Sequence, residues 1–293
     1  MEPHWDDLRV FLAVAREQSL SGAGRVLRLD PATVGRRIAR LEEALEVPLF
    51  VKSPQGYALS AAGERLLGPS QAAEQAMRAG RDALTGPSEQ LSGSFRIGAP
   101  DGCANYLLPE VCAQIAVDHP ELDIHIVALP RVVNLSRREA DMAITVSPPS
   151  AGQLLVQKIT DYHLHLVGAP DLAVTELAAL KGARMVGYIP DMIFDAELDY
   201  LAELGLARVP VASNSVPVQL RLAEQGAGLC VAHDFALPFH PGLVKVLADQ
   251  LSFRRSFFLV RHQGDQKSAR LNRLAALLGD GLRDTVARLE AQA

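Results

Sequence analysis

The stretch LDPATVGRRIARLEEALEVPLF, residues 29–50, combines a helix signal with a concentration of positive charge. Asp30 can accept hydrogen bonds from the free N–H groups of a first helical turn, and Pro31 suits the first helical position. Apolar residues then recur every three or four positions and give the helix one buried face. They are Val34, Ile38, Leu41 and Leu45. The stretch therefore predicts a capped amphipathic helix whose arginines lie mostly off the buried face.

The positive charge of this region is local. The 293-residue chain has a formal net charge of -5, whereas residues 25–40 hold five arginines against a single aspartate, a local charge of +4. A DNA-binding face needs a positive stripe rather than a basic protein. The alternative is a solvated surface in which the arginines pair with neighbours such as Glu43. The clustering of Arg36, Arg37 and Arg40 on one helix favours DNA.

The residues around this helix complete a winged helix-turn-helix. Residues 6–20 have apolar side chains at helical spacing, and residues 19–30 predict a short second helix with Ser21 as N-cap and with Val26 and Leu27 facing inward. Two short helices joined by a tight turn, the second one basic, are typical of a helix-turn-helix. Residues 47–63 then predict a hairpin, or wing, with Lys52 near its tip and Pro54 and Gln55 in its turn.

Residues 62–86 are Ala-rich and predict a long helix, followed by a hinge at 85–93. Its apolar stripe suits pairing with a copy of itself, or docking on its own domain. The stripe consists of Leu66, Leu67, Ala73, Ala76, Met77, Gly80 and Leu84.

From residue 93 onward strands alternate with helices, the pattern of a parallel α/β sheet. Predicted helices in this part include residues 131–139, 174–182 and 194–205. In open α/β sheets ligands bind at the carboxyl ends of the strands. A helix that begins after Ser215 would place free N–H groups there, which suits a carboxylate. Asp101 would disfavour an anion nearby and Arg131 would favour one, so the residues leave the charge of a bound ligand open.

The first sixty residues resemble the LysR-type transcriptional regulators. The shared N-terminal pattern is carried by Ser21-Gly22-Ala23-Gly24, Leu27, Val34-Gly35-Arg36-Arg37-Ile38, Leu41-Glu42, Leu49-Phe50, Lys52 and the run from Gly56 to Gly63. Looser matches follow at Phe95-Arg96-Ile97-Gly98, Leu108-Pro109, Asp141-Met142-Ala143-Ile144 and Glu224-Gln225-Gly226-Ala227-Gly228. The resemblance spans the chain and is specific at its N-terminus.

The resemblance implies an all-α winged helix-turn-helix domain at 1–63, a linker and dimerisation helix at 64–92, and an α/β effector domain at 93–293. The effector domain would resemble periplasmic binding proteins, with two Rossmann-like subdomains, one at about 93–161 plus 264–293 and the other at about 162–263. Crossing connections near residues 161 and 263 would be hinges. The implied function is sequence-specific transcriptional regulation switched by a small-molecule effector. The implied partners are double-stranded operator DNA, the effector, RNA polymerase and further copies of the chain in a dimer that assembles into a tetramer.

The family pattern also indicates site residues. The DNA-binding set is Ser21, Pro31, Thr33, Arg36, Arg37, Arg40 and Lys52. The family often has Gln and Ser where this chain has Pro31 and Gly35, so base reading should depend on Thr33, Arg36 and Arg37. The effector set is Asp101, Cys103, Arg131, Ser147, Asn214 and Ser215. For each of these an ordinary cap or turn role is the alternative.

Other classes of protein are disfavoured. The chain has no GxSxG, phosphate-loop or GxGxxG motif, which predicts no enzyme activity and no cofactor. His163 and His165 lack marked metal-ligand partners, and three widely spaced cysteines predict reduced thiols in a cytoplasmic protein. No apolar run reaches the length of about 18 residues that a membrane-spanning helix needs. A solute-binding protein without a DNA-binding role is the remaining alternative, disfavoured by the acidic N-terminus and by the first sixty residues.

Overall fold

A computed structural model describes residues 4–53, 56–85, 90–128, 140–150, 152–172, 174–206 and 208–293. Arg131, the predicted helix at 131–139 and the wing turn at Pro54 and Gln55 lie outside these ranges. The chain divides into two compact units, Met1–Pro87 with two short later segments, and Ser88–Leu135 with Ala140–Gln263 and Arg270–Ala293. Each unit has a hydrophobic core of its own. Among the described helices, none is both long and apolar enough to cross a membrane.

The N-terminal unit is a helix-turn-helix with a wing, as predicted. Its elements are α1 (Trp5–Glu17), α2 (Leu20–Leu27), α3 (Pro31–Leu45), β1 (Phe50–Ser53), β2 (Gly56–Leu59) and α4 (Ala61–Thr85). Strands β1 and β2 pair antiparallel and form the wing. Val34, Ile38 and Leu41 of α3 are buried in the same cluster as Phe11 and Leu12 of α1, which confirms the predicted buried face of the basic helix.

The start of α2 differs from the prediction. Its N-cap is Ser19, whose hydroxyl oxygen accepts a hydrogen bond from the N–H of Gly22, and Ser21 is an exposed residue inside the helix. Leu27 packs against the core as predicted. Val26 is 63% exposed, so the prediction that it faces inward is wrong. The residues facing the core are Leu20, Ala23 and Leu27.

The second unit contains the α/β elements. We call the elements that precede the long strand β6 (Leu154–Gly168), together with the C-terminal helix, the first lobe: β3 (Gly93–Ala99), α5 (Asp101–Tyr106), α6 (Leu108–Asp118), β4 (Leu122–Ala128), β5 (Met142–Thr145) and α9 (Ala269–Glu290). We call the elements between β6 and the second long strand, β11 (Phe253–His262), the second lobe: β7 (Val186–Gly187), α7 (Tyr200–Glu203), β8 (Val211–Ala212), α8 (Val216–Glu224), β9 (Cys230–His233) and β10 (Val244–Lys245). The two long strands, β6 and β11, connect the lobes.

The sheet is parallel only in part. Strands β4 and β5 pair in parallel with β3, and β7 pairs in parallel with β8, as predicted. Strand β11 pairs antiparallel with both β5 and β6, while β9 and β10 pair antiparallel with β6. The antiparallel pairing follows because β6 takes the chain to the second lobe and β11 returns it. The register between them shifts at Phe257 and Phe258.

Two predicted helices of the second lobe are shorter than expected. The segment predicted at 174–182 is a 3-10 helix over Leu177–Gly182, and the one at 194–205 divides into a 3-10 helix at Ala196–Leu198 and the single turn of α7. The division has a local cause. The carboxylate of Asp195 accepts a hydrogen bond from the N–H of Glu197, and that of Asp199 accepts one from Ala202. Each aspartate thus starts a new turn instead of continuing the previous one.

Candidate nucleic-acid interface and ligand cleft

The basic helix α3 begins as the sequence predicts. One carboxylate oxygen of Asp30 accepts a hydrogen bond of 2.8 Å from the N–H of Ala32, and Pro31 occupies the first turn, where its side chain is exposed. This capping leaves the N-terminal turn of α3, together with exposed Ser21 of α2, at the surface. In a helix-turn-helix it is this end of the second helix that contacts base edges.

Three basic residues of the predicted DNA-binding set, Arg36, Arg37 and Lys52, can contact DNA from this surface. A terminal nitrogen of Arg36 donates to the Thr33 hydroxyl at 3.0 Å, and the Arg36 side chain is exposed. Arg37 lies 3.8 Å from the carboxylate of Asp6, whose side chain is 62% exposed, so this ion pair is weak. The Lys52 ammonium lies 5.7 Å from the centre of the Tyr57 ring and is exposed.

Arg40 is engaged differently from its neighbours. Its Nε and Nη2 atoms donate to the two carboxylate oxygens of Asp7 at 2.7 and 2.5 Å. The Asp7 side chain is only 2% exposed, so the bidentate pair neutralises a buried charge and joins α3 to α1. The sequence carried a signal of this contact, because Asp7 falls on the apolar face that Val10, Phe11 and Val14 define.

The lobes of the second unit are bridged at Asp101. This residue opens α5 in the first lobe, and its Oδ2 atom accepts hydrogen bonds from the Ser215 hydroxyl at 3.1 Å and the Val216 N–H at 2.7 Å. The N-terminus of α8, which the sequence indicates as a carboxylate site, therefore already holds a carboxylate of the same chain. Asn214 lies next to this contact and is partly buried.

A second bridge joins Ser147 to Asp195. The Ser147 hydroxyl of the first lobe donates to a carboxylate oxygen of Asp195 in the second. Cys103, in contrast, is 1% exposed within the hydrophobic core, and burial raises the pKa of its thiol. The contact of Cys103 with an effector stays a prediction, and the thiol itself lies in the core. Since α5 begins at Asp101, the chain turns Cys103 toward the core.

A third bridge was not predicted from the sequence. The Tyr106 hydroxyl of α5 lies 2.8 Å from Nε2 of His240, and Nδ1 of His240 lies 3.0 Å from a carboxylate oxygen of Glu224 at the end of α8. Burial raises the pKa of Tyr106. Tyr106 and His240 are 134 residues apart, so no local pattern could indicate the contact.

Buried polar atoms without partners lie next to these bridges. In the described part of the chain, the hydroxyl of Tyr162 and Nδ1 of His233 are buried and make no hydrogen bond. Their rings pack together at a centroid distance of 5.5 Å, and the His233 ring lies against Gly102, beside Asp101. Burial lowers the pKa of His233 to about 4. Because buried polar groups are normally hydrogen-bonded, these two atoms are unsatisfied polar groups close to the Asp101 bridge.

The histidine pair on β6 has structural partners. His163 Nδ1 lies 2.9 Å from a carboxylate oxygen of Glu290, and His165 Nδ1 lies 2.8 Å from one of Asp234. Within the described ranges, no group of three or more His, Cys, Asp or Glu residues is placed to hold a metal ion. Each histidine therefore pairs with one carboxylate, as expected of packing or surface residues.

Comparison with known families identifies both parts of the chain. The family described as "Bacterial regulatory helix-turn-helix protein, lysR family" matches residues 5–64, and that described as "LysR substrate binding domain" matches residues 88–283. The HTH-type transcriptional regulator BbuR of Bordetella bronchiseptica is 30% identical over 76% of this chain and 72% of its own length. The Mau operon transcriptional activator of Paracoccus denitrificans is 26% identical over 91% and 93%.

Solved structures share the fold. Full-length OxyR from Pseudomonas aeruginosa superposes with a TM-score of 0.76 at 18% identity, covering 96% of this chain and 98% of that one. CrgA from Neisseria meningitidis gives a TM-score of 0.58 at 21% identity, with coverage of 94% and 98%. At these identities the likeness concerns the fold alone.

Proposed function

The chain belongs to the LysR family of bacterial transcriptional regulators and is a DNA-binding regulator with an effector-binding domain. We propose which of its residues serve each of these functions. The N-terminal residues 1–63 bind operator DNA, 64–92 form a linker, and 93–293 bind the effector in the cytoplasm. The observation that carries this proposal is the capped helix α3, which presents Arg36 and Arg37 at the surface of a helix-turn-helix. No observation favours a solute-binding protein without a DNA-binding role.

On DNA, α3 enters the major groove and its first turns face base edges. Arg36 and Arg37 are the main cationic contacts, with Thr33 beside them, while Ser21 and Lys52 contact the backbone from α2 and the wing. Arg40 remains a predicted DNA contact through the exposed part of its side chain, since two of its three guanidinium nitrogens, Nε and Nη2, donate to Asp7. RNA polymerase is proposed as a partner of the DNA-bound protein.

If Arg36 or Arg37 reads a base bidentately, its replacement by alanine should weaken operator binding by about 1–3 kcal/mol. A residue that contacts only phosphate should instead reduce the salt dependence by about one unit on every sequence. The measurement is fluorescence anisotropy at several salt concentrations on operator and scrambled DNA. Arg65→Ala, which removes an exposed arginine of α4, is the matched control. Unchanged binding in both Arg36→Ala and Arg37→Ala would show that α3 is not the recognition helix.

The helix α4 is proposed to pair with its copy in a dimer that assembles further into a tetramer. Leu66 and Leu67 pack on the core of their own unit, and Glu74 forms a 2.6 Å ion pair with Arg16 of α1. Farther along α4, Ala76 is exposed and Met77 is 56% exposed. The first part of the apolar stripe of α4 thus packs within its own unit, whereas the later part is exposed and can contact a second chain. Light scattering that finds only monomer at micromolar concentration would contradict this.

The effector is proposed to bind between the two lobes, where its contacts depend on how the lobes are arranged. A ligand shifts such an equilibrium only by its different affinity for the two arrangements. Asp101 holds the α8 N-terminus from the opposite lobe, so an anionic group that takes its place would release that bridge. Asn214, Ser215 and Ser147 are the proposed neighbours of this group. The long strands β6 and β11 are the proposed hinges, bending where their register shifts.

Removing the Asp101 carboxylate should create a binding site for a small carboxylate. In Asp101→Ala the Val216 N–H loses its acceptor, and we expect the melting temperature to fall in line with the loss of about 1 kcal/mol for a helix cap. Sodium acetate should restore it in this variant more than sodium chloride of the same ionic strength does, because acetate can accept the freed hydrogen bonds. Wild-type protein and the exposed-site variant Asp118→Ala should respond alike to both salts. If the melting temperature of Asp101→Ala also responded equally to acetate and chloride, an anion site at the α8 N-terminus would be ruled out.

A further inference from the structure

A cavity of about 920 Å³ opens within the second lobe. Its volume lies within the range of about 300–1,000 Å³ that is usual for small-molecule sites. Most of the lining is apolar, with Val186, Leu198, Leu201 and Val231 among its walls. The proposed effector contacts Asp101, Ser147 and Ser215 do not line it.

The polar lining of this cavity is acidic. Asp195, Asp199 and Glu203 line it, and no Lys, Arg or His does. Glu203 pairs with Arg255. Asp195 and Asp199 accept hydrogen bonds from backbone and hydroxyl donors, and neither has a cation partner within the part of the chain that the structure describes. The cavity therefore has two uncompensated carboxylates beside apolar walls.

A buried tyrosine adds a second polar feature. Tyr200 lines the cavity and is 4% exposed, and its hydroxyl makes no hydrogen bond to the described residues. Buried hydroxyls without partners are uncommon in folded proteins. An apolar enclosure with a few polar groups is the usual composition of a ligand site.

We propose that this cavity is a second ligand site, which takes a small molecule with an apolar body and one protonated amine. The apolar walls would bury the body, and Asp199 and Asp195 would bind the ammonium group through charge-assisted hydrogen bonds. The site goes beyond the effector cleft proposed above and does not depend on it.

Asp195 connects the cavity to the cleft. It lines the cavity and also accepts the hydrogen bond of Ser147 from the first lobe. An ammonium bound to Asp195 would compete with Ser147 for the same carboxylate. Occupation of the cavity would thereby weaken one bridge between the lobes, which gives the second ligand a route to influence the first.

The first test compares three probes on full-length protein by ligand-observed NMR titration. Benzylamine combines an apolar ring with an ammonium group, benzyl alcohol has the same shape without charge, and benzoate has the opposite charge. We expect benzylamine to bind about tenfold more tightly than benzyl alcohol, as one charge-assisted hydrogen bond predicts, and benzoate to bind more weakly still. No binding of benzylamine, or equal binding of the amine and the alcohol, would overturn the proposal.

Two variants locate the binding. Asn at position 199 can still accept the hydrogen bond from Ala202, so Asp199→Asn keeps the cap and removes the charge, and should weaken benzylamine about tenfold. Ala202→Trp, at an exposed lining position, should block the cavity. The matched controls, Asp171→Asn and Ala178→Trp, change exposed residues that do not line it and should bind as wild type does.

The outcomes separate this cavity from the cleft. Unchanged benzylamine affinity in Asp199→Asn overturns the site even if Ala202→Trp fails to fold, since the conservative variant retains the cap. Loss of benzylamine binding in Asp101→Ala, with Asp199→Asn unaffected, would assign the amine to the cleft instead. Loss in Asp199→Asn and Ala202→Trp alone supports the proposal.

Discussion

Arg40→Ala will lower the melting temperature of the N-terminal unit by about 10 °C or more, as expected when a buried charge loses its partner in a small domain. The side chain of Asp7 is 2% exposed, and its carboxylate receives two hydrogen bonds from Arg40. Without the guanidinium, the buried carboxylate of Asp7 loses both of these hydrogen bonds and its ionic partner. Differential scanning fluorimetry and circular dichroism would measure the loss, and operator binding should fall with the folded fraction.

Two further variants separate stability from DNA contact. Arg37→Ala is the matched control, because its pair with Asp6 is long and exposed, so the melting temperature should change little. The double variant Asp7→Leu with Arg40→Met replaces the pair by apolar groups, which is often neutral or stabilising. We expect it to regain stability. Operator binding by this stable double variant then tests the proposed DNA contact of Arg40, because weak binding would support that contact and full recovery would contradict it.

Local patterns were sufficient for the N-terminal unit. Helix α3 begins at Pro31 because Asp30 caps it, and it buries Val34, Ile38 and Leu41 because they recur at helical spacing. The same kind of information placed the α2 cap two residues late, since Ser19 and Ser21 are both good caps and only packing decides between them. The choice of Ser19 turned Val26 outward.

The partners in long-range contacts could not be predicted from the sequence, even where a charge on an apolar face, as at Asp7, indicated that a partner was needed. Arg40 looked like its neighbours on α3, and its partner Asp7 lies 33 residues earlier on another helix. Asp101 and Ser215 were each expected at the cleft, but nothing in the sequence indicated that one would bind the other, 114 residues away. As a result, the N-terminus of α8 holds the Asp101 carboxylate of the same chain and is not left open for an effector.

The cavity in the second lobe has a cause that the sequence did contain. A continuous helix was expected over 194–205, yet Asp195 and Asp199 each cap a short turn there. Short turns cover less of the underlying sheet than a long helix would. Side chains that favour caps over helix interiors were therefore a better guide to this segment than its apolar spacing.

Gly228→Ala will destabilise the second unit by about 3 kcal/mol or more, at the upper end of what overpacking costs, because backbone must move. A Cβ at this position would lie 2.4 Å from the carbonyl oxygen of Arg184 and 2.8 Å from its carbonyl carbon. The same oxygen accepts a hydrogen bond from the N–H of Leu229. The strand that follows α8 cannot move away from Arg184 without losing that bond. Thermal unfolding of the full chain, followed by circular dichroism, would measure the effect.

Two other glycines of the second lobe make the test specific. Gly182 has an ordinary backbone angle and no atom within 4 Å of an added Cβ, so Gly182→Ala should change stability by less than about 0.5 kcal/mol. Gly226 also has open space but a φ of +75°, so Gly226→Ala should cost about 1–2 kcal/mol, the penalty of a left-handed backbone for an L-residue. The loss of stability should therefore be smallest in Gly182→Ala, larger in Gly226→Ala and largest in Gly228→Ala. If Gly228→Ala were no worse than Gly226→Ala, the close approach to Arg184 would be relieved cheaply, and the position of α8, with the Asp101 bridge at its start, would be adjustable rather than fixed by this strand.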